Sequence, residues 1–218
     1  MLKPQLTVEE DRIMKYPRMT WGKMEAVINK LGGEEGVERL LCGELLVVSD
    51  PTRKFYERCG IFYFSVTSRG KTGPDWIDYF EKSGSPISAG ARKLLLSPDF
   101  KPTAGVTTRI AMLSGWSFSE GYRVTANIRH TALALTTFTE PNAEVACLVC
   151  AMFTKEALQV VGLSRVVVMH EAIDDDAGIP LLLTVEVAGQ RLGLGTCYGG
   201  IEGTWPPEYS FVFGCPDD

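Results

Sequence analysis

The C-terminal part of the chain carries the pattern that most constrains the fold. Four strand-like runs follow one another there, separated by segments rich in turn-forming residues. The runs cover residues 165–172, 180–187, 191–198 and 209–213. Because strands joined by short turns pair antiparallel, the pattern predicts an antiparallel β-meander over residues 165–213.

The preceding part of the chain alternates helical periodicity with strand-like runs. Apolar residues recur at helical spacing from Trp21 to Leu31, and a second short helix ends at Gly43, so residues 20–43 are predicted to form a helical hairpin. Short helical pairs packed with strands, followed by a meander, define an α+β fold. The other predicted elements are strands over 45–48, 61–66 and 106–113, and helices over 73–83, 89–96, 123–135, 143–152 and 155–161.

The predicted domain organisation is simple. Residues 1–19 are polar and without a clear period, which predicts a partly ordered arm with a short helix at 7–14. Neither an internal repeat nor a low-complexity linker interrupts the rest. With 218 residues, 45% of them hydrophobic, the chain can bury a substantial core, and residues 20–218 are predicted to form a single α+β domain.

Charge and cysteine content restrict the function classes. A net charge of −5 argues against a general nucleic-acid binder, which needs a basic face. No apolar run approaches the roughly 20 residues that span a bilayer, and the start does not resemble a signal peptide, so a cytoplasmic protein without membrane association is expected. The dispersed cysteines are expected to be reduced thiols: Cys42, Cys59, Cys147, Cys150, Cys197 and Cys215.

Four stretches carry a resemblance to a protein family. They are INKLGGEEGVERLLCGELLVV, LLLSPDFKPTAGVTT, PNAEVACLV and VVVMHEAIDDDAGIPLLL, and the similarity spans most of the chain after residue 19. The chain resembles a family of bacterial proteins found in candidate-phyla and metagenomic genomes. That family has no established activity, so the resemblance implies a bacterial intracellular protein and transfers no catalytic or binding residue.

The stretch VVVMHEAIDDDAG raises the question of a metal site, because His170 precedes the three aspartates Asp174–Asp176. An EF-hand loop beginning at Asp174 would need a glycine at position 6 and a glutamate at position 12, where Ile179 and Val185 stand instead. We interpret the aspartates as a hairpin turn and predict no metal site and no cofactor. Strand alternation places His170 on the face of Val166 and Val168, which favours a structural histidine at the edge of the core.

Cysteines and glycines supply weaker candidates. Cys197 could act as a nucleophile if His170 on a neighbouring strand activated it. The pair Cys147 and Cys150 matches half of a zinc site, and its place on the apolar side of a helix favours buried hydrophobes instead. Gly193 and Gly195 lie in a predicted strand rather than before a helix, so they indicate a bulge or close packing and not a dinucleotide loop.

Aromatic residues in predicted loops supply the remaining candidates. Trp116, Trp205 and Tyr209 could line a surface for a small molecule or a protein partner, or they could plug the ends of the sheet. No catalytic constellation is complete, so the favoured hypothesis is an intracellular binding or interaction protein without catalysis. The alternative is a small hydrolase or transferase that uses Cys197 and His170, or a divalent metal near His170 and Asp174–Asp176.

Overall fold

The structure, a computed structural model, falls into two compact units. It describes residues 21–42, 55–58, 60–135, 137–160 and 164–216. The predicted arm over 1–19, the predicted strand over 45–48 and Cys59 lie outside these residues. The units cover Met1–Arg53 and Lys54–Asp218, and the helical hairpin belongs to the first unit.

The first unit contains the helical hairpin. Helix α1 (Trp21–Leu31) and helix α2 (Glu34–Leu41) are joined by Gly32 and Gly33, both with positive φ. That conformation is open to glycine at little cost, and it ends α1 where the apolar periodicity ends.

The second unit contains a sheet of eight strands within the described residues, together with five α-helices, which confirms the α+β class. The strands are β1 (Phe55–Arg58), β2 (Ile61–Arg69), β3 (Ala104–Ser114), β4 (Arg165–Val168), β5 (Ile173–Asp174), β6 (Pro180–Ala188), β7 (Arg191–Tyr198) and β8 (Tyr209–Cys215). The helices are α3 (Gly73–Ser83), α4 (Ala89–Leu96), α5 (Thr125–Leu135), α6 (Glu144–Met152) and α7 (Lys155–Val160), with 3-10 turns at Gly115–Ser117 and Glu120–Tyr122. Among the helices described here, none has the length and apolar character that a membrane crossing requires.

Local sequence signals explain several helix boundaries. Thr72 and Asp75 form a capping box at the start of α3, and Gly84 ends the helix in the left-handed conformation. The Ser88 hydroxyl accepts a hydrogen bond from the backbone N–H of Ala91 and so caps the start of α4.

The strand order departs from a simple meander at β8. Strands β4, β6 and β7 pair antiparallel in sequence, as predicted. Strand β8 instead lies between β3 and β4, antiparallel to the first and parallel to the second, so residues 165–213 do not form one antiparallel meander. The physical reason is burial: consecutive residues Phe211, Val212 and Phe213 are all buried, and a strand that buries both faces belongs in the middle of a sheet.

Helices cover both faces of this mixed sheet and create two apolar clusters. On one face, Val166, Val168 and Val212 pack with residues of α3, α4, α6 and α7, including Trp76 and Leu158. On the other face, residues from α5 and the neighbouring loops pack against the sheet, among them Ile128, Phe118, Phe138 and Trp205, which contact Val167, Leu182 and Phe211. The candidate site lies on this second face.

Candidate functional site

His170 lies at an interruption in the pairing along one edge of β6. Strand β4 pairs with residues 184–186 of β6, and β5 pairs with residues 180–181 on the same edge, so residues 169–172 leave the ladder between them. The backbone N–H of Leu183 donates a hydrogen bond to Nε2 of His170 at 2.9 Å. The imidazole therefore takes the place of the main-chain acceptor that a continuous strand would supply.

The hydrogen bonds of His170 define its tautomer. Nδ1 lies 2.6 Å from the carbonyl oxygen of Glu171, which can only accept, so Nδ1 carries the proton and Nε2 is the acceptor. Burial lowers the pKa of His170 to about 4, and the nearby Arg129 guanidinium acts in the same direction, whereas the Glu171 carbonyl opposes it. The ring is neutral near pH 7 with both nitrogens engaged, so it is not available as a general base.

Arg129 of α5 also binds the segment at which the pairing with β6 is interrupted. Its guanidinium donates to the carbonyl oxygens of Met169 at 3.2 Å and His170 at 2.7 Å, and it pairs with Glu140. These two carbonyl groups belong to the segment that leaves the ladder with β6. Because unpaired buried carbonyls are destabilising, this arginine contributes to the strand break as a structural residue.

The aspartates following His170 form a turn. Asp175 Oδ1 accepts from the backbone N–H groups of Ala177 at 2.8 Å and Ile179 at 3.0 Å, which lowers the pKa of Asp175. Asp176 pairs with Lys93 of α4, and Asp174 lies in β5. Within the part of the chain that the structure describes, no group of three or more potential ligands is arranged to hold a metal ion.

Cys197 and His170 are not joined by a hydrogen bond in the described structure. The Cys197 thiol lies 3.8 Å from the carbonyl oxygen of Leu182. Burial raises the pKa of Cys197 to about 12; nearby Arg165 lowers the pKa and Glu186 raises it. The thiol is therefore protonated near pH 7 and is a poor nucleophile.

The predicted C-x-x-C pair lies inside the core. Cys147 and Cys150 are both buried on α6, within the cluster that packs on the first face of the sheet. Desolvation raises the pKa of Cys150 to about 12 and that of Cys147 well above its ordinary value. Both are protonated hydrophobic residues in this position.

A cleft on the second face of the sheet brings several candidate residues together. We call it the aromatic cleft; it has a volume of about 460 Å³ and its lining includes Arg165, Cys197, Tyr198, Glu202, Trp205 and Tyr209. Sites of roughly 300–1,000 Å³ are typical for small molecules. The structure therefore unites Cys197, Trp205 and Tyr209, three of the residues that the sequence singles out.

The register of four strands places one polar row at this cleft. Arg165 of β4 is paired with Tyr209 of β8 on one side and with Glu186 of β6 on the other, and Glu186 is paired with Gly193 of β7. The guanidinium lies 5.1 Å from the centre of the Tyr209 ring and forms an ion pair with Glu186. Stacking and ion pairing together fix the position of Arg165.

The next row of the sheet contains a polar group without a partner. Thr184 lies between Val167 of β4 and Gly195 of β7, and its hydroxyl is fully buried with no hydrogen bond to any described residue. A Cβ atom at Gly195 would lie 2.8 Å from both the Thr184 Oγ1 and the Glu186 Oε1 atoms. Gly195 therefore lies in close packing with these two side chains, one of the two explanations that the sequence leaves open.

Trp205 forms the inner wall of the cleft. Its ring is only 7% exposed, its Nε1–H donates to Thr125 Oγ1 at 3.0 Å, and it packs against Tyr209 and Phe211. At the mouth, the Tyr198 hydroxyl donates to Glu202, which lowers the pKa of Glu202 and raises that of Tyr198. The wall is thus rigid and aromatic, and the mouth carries a carboxylate.

Trp116 stands apart from these residues. It lies in the turn after β3, is 70% exposed and does not line the aromatic cleft. A second, polar cleft of about 410 Å³ lies beside the strand break, with Asp99, Lys101, Asn142, Glu171 and Asp174 in its lining.

Sequence reasoning missed Arg165, Tyr198 and Glu202. Arg165 begins a predicted strand and Tyr198 ends another, so each resembles an ordinary boundary residue. Only the register across β8, β4 and β6 reveals that Arg165 lies beside an aromatic ring and a carboxylate. The available signal was the concentration of aromatic residues between Tyr198 and Tyr209.

Comparison with known proteins adds no functional information. No family model matches the chain, and no match was found among curated proteins or solved structures. The resemblance to bacterial proteins therefore stays a prediction.

Proposed function

We propose that this chain is a non-catalytic binding protein whose small-molecule ligand occupies the aromatic cleft. The observation that carries this proposal is the cleft itself, which is lined by three aromatic residues and by an arginine held by Tyr209 and Glu186. The lining combines aromatic rings with polar groups, including this arginine and Glu202, that can fix the orientation of a ligand. The engaged nitrogens of His170 and the protonated thiol of Cys197 favour binding over the hydrolase or transferase alternative.

The neutral fluorescent compound N-phenyl-1-naphthylamine tests this proposal, since its emission rises in apolar sites. In the wild-type protein its addition should shift the indole N–H signal of Trp205 in NMR spectra and leave that of the exposed Trp116 unchanged. This measurement requires no substitution and therefore does not depend on the folding of a variant. Unchanged Trp205 signals at saturating probe would overturn the proposal.

A pair of tyrosine substitutions provides the matched comparison. Tyr209→Ala removes a ring that lines the aromatic cleft, whereas Tyr122→Ala removes a half-exposed ring that does not line it. The first variant should weaken probe binding at least fivefold, and the second should bind as the wild type does. Equal losses in the two variants would indicate adhesion to surface aromatic groups instead of binding in the cleft.

We also propose a cytoplasmic location, which the free thiols among the described residues support. Four of the cysteines in the described part of the chain are free thiols: Cys42, Cys147, Cys150 and Cys197. Free thiols are the ordinary state in a reducing compartment.

A further inference from the structure

We infer that the ligand of the aromatic cleft is an aromatic monocarboxylate whose carboxylate binds Arg165. This inference rests on the proposed function and names the chemical class of ligand for that same site.

The first argument is the geometry of Arg165. Its side chain is 32% exposed; one amino group, Nη2, faces Glu186. Its Nε and Nη1 atoms donate to no residue that the structure describes. A planar guanidinium with free donors and a fixed orientation is suited to the planar, two-oxygen geometry of a carboxylate.

The second argument concerns the charge that the cleft tolerates. Glu186 already balances Arg165, and Glu202 adds a negative charge at the mouth. A dianion such as a phosphate monoester would meet two carboxylates with one arginine, so repulsion disfavours it. A monocarboxylate can accept hydrogen bonds from the free donors of Arg165, and it is repelled less than a dianion by the two carboxylates.

The third argument concerns the body of the ligand. Tyr198, Trp205 and Tyr209 present aromatic surface, and the protonated thiol of Cys197 adds a soft, nearly apolar one. A volume of about 460 Å³ accommodates a bicyclic ring system with a short acidic substituent. The ring would lie along Trp205 with its carboxylate directed toward Arg165.

Three compounds of the same shape separate these contributions. They are 2-naphthoate, the neutral naphthalene-2-carboxamide and 2-naphthyl phosphate, compared by calorimetry at pH 7.5 and by the NMR signal of Trp205. The wild-type protein should bind 2-naphthoate at least tenfold more tightly than the carboxamide, and the phosphate more weakly than the carboxylate.

Variants that remove the charge of Arg165 test whether this residue binds the carboxylate of the ligand. Arg165→Gln should bring the affinity ratio of carboxylate to carboxamide close to one. The double variant Arg165→Gln/Glu186→Gln should give the same ratio, and it avoids leaving Glu186 without its partner. The matched control is Arg92→Gln, because Arg92 forms an exposed ion pair with Glu81 away from the cleft, and it should keep the tenfold preference.

Glu186 supplies an independent test of the charge argument. Glu186→Gln removes one of the two carboxylates, so it should raise the affinity for 2-naphthyl phosphate severalfold relative to 2-naphthoate. A phosphate that binds the wild-type protein more tightly than 2-naphthoate would overturn the monocarboxylate inference.

The outcomes separate this inference from the proposed function. If the carboxylate and the carboxamide shift Trp205 with equal affinities, the cleft binds ligands but the carboxylate inference is wrong. If N-phenyl-1-naphthylamine shifts Trp205 and 2-naphthoate does not, only the carboxylate inference is wrong; if none of the four compounds shifts Trp205, both proposals are wrong.

Discussion

At the scale of single residues, the imidazole of His170 completes the hydrogen bonding of a strand. It donates to the Glu171 carbonyl and accepts from the Leu183 N–H, and both contacts require the neutral ring. A group in this position links the stability of the sheet to pH, because protonation must break the bond from Leu183.

The first prediction concerns this pH dependence. The unfolded chain protonates His170 near pH 6.5 and the folded chain only near pH 4, so the unfolded state binds more protons between these values. The contribution is therefore fully present above pH 6.5 and is lost as the pH falls toward 4, by about 3 kcal/mol in total. Urea unfolding at a series of pH values measures it.

His170→Gln should remove this part of the pH dependence, and His130→Gln should retain it because His130 is exposed. The free energies of unfolding of the wild type and His170→Gln are expected to converge as the pH falls from 7 to 4.5. A constant difference across that range would contradict the prediction.

The second prediction concerns the aspartate turn. Replacing Asp174, Asp175 and Asp176 together by asparagine should change stability little, because the amide oxygen of an asparagine at position 175 would still accept from the two backbone N–H groups. Asp175→Ala should lower the stability more than the triple asparagine variant does, since both bonds are lost. Thermal unfolding compares the two variants.

Zinc, manganese and calcium should leave the melting temperature unchanged, because Asp175 accepts from two backbone N–H groups and Asp176 pairs with Lys93. A ligand at 100 times its dissociation constant would add about 2.7 kcal/mol. A metal-dependent rise in melting temperature that disappears in the triple asparagine variant would instead favour a metal site.

At the scale of elements, β6 and β7 pack closely at Gly195, where glycine has no side chain. Thr184 and Glu186 both project toward Gly195, where a Cβ atom would lie 2.8 Å from each side-chain oxygen. These oxygens occupy the floor of the face on which the aromatic cleft lies. A side chain at this position would therefore disturb both the strand pair and the orientation of Glu186.

The third prediction tests that close approach. Gly195→Ala should destabilise the protein by about 1–3 kcal/mol, the usual effect of overpacking. Gly121→Ala is the control, since a Cβ atom there meets no atom within 4 Å. Chemical unfolding of both variants gives the comparison; equal stability of the two would show that Thr184 and Glu186 move aside freely.

At the scale of the whole molecule, the sheet of the second unit has an apolar cluster on each face. Cysteine residues lie in both clusters. Cys147 and Cys150 are buried on one side of the sheet, and Cys197 and Cys215 are partly buried on the other. The sheet therefore lies between one pair of these cysteines and the other.

The fourth prediction is that all six cysteines are reduced in the native protein. Titration of freshly unfolded protein with a thiol reagent should count six thiols. Before unfolding, exposed Cys42 should react quickly and buried Cys147 and Cys150 slowly. A count of four or fewer in the unfolded protein would contradict the prediction.

The sequence was informative where the signal is local. Pro74 after Thr72, Ser88 before α4 and the β-branched run of β4 act within a few residues, so the helix starts and strands were predictable. The partners of β8 were not, because strand pairing depends on residues far apart in the chain. The strand break at His170 and the position of Arg165 both follow from that long-range register.

The central position of β8 has a consequence for synthesis on the ribosome. Strands β1–β3 and β4–β7 precede it in the chain, yet β3 and β4 reach each other only through β8. The two halves of the sheet must therefore wait, with apolar surface uncovered, until β8 has emerged, and such nonlocal pairing is slow. We expect the nascent chain to recruit chaperones until that strand is inserted.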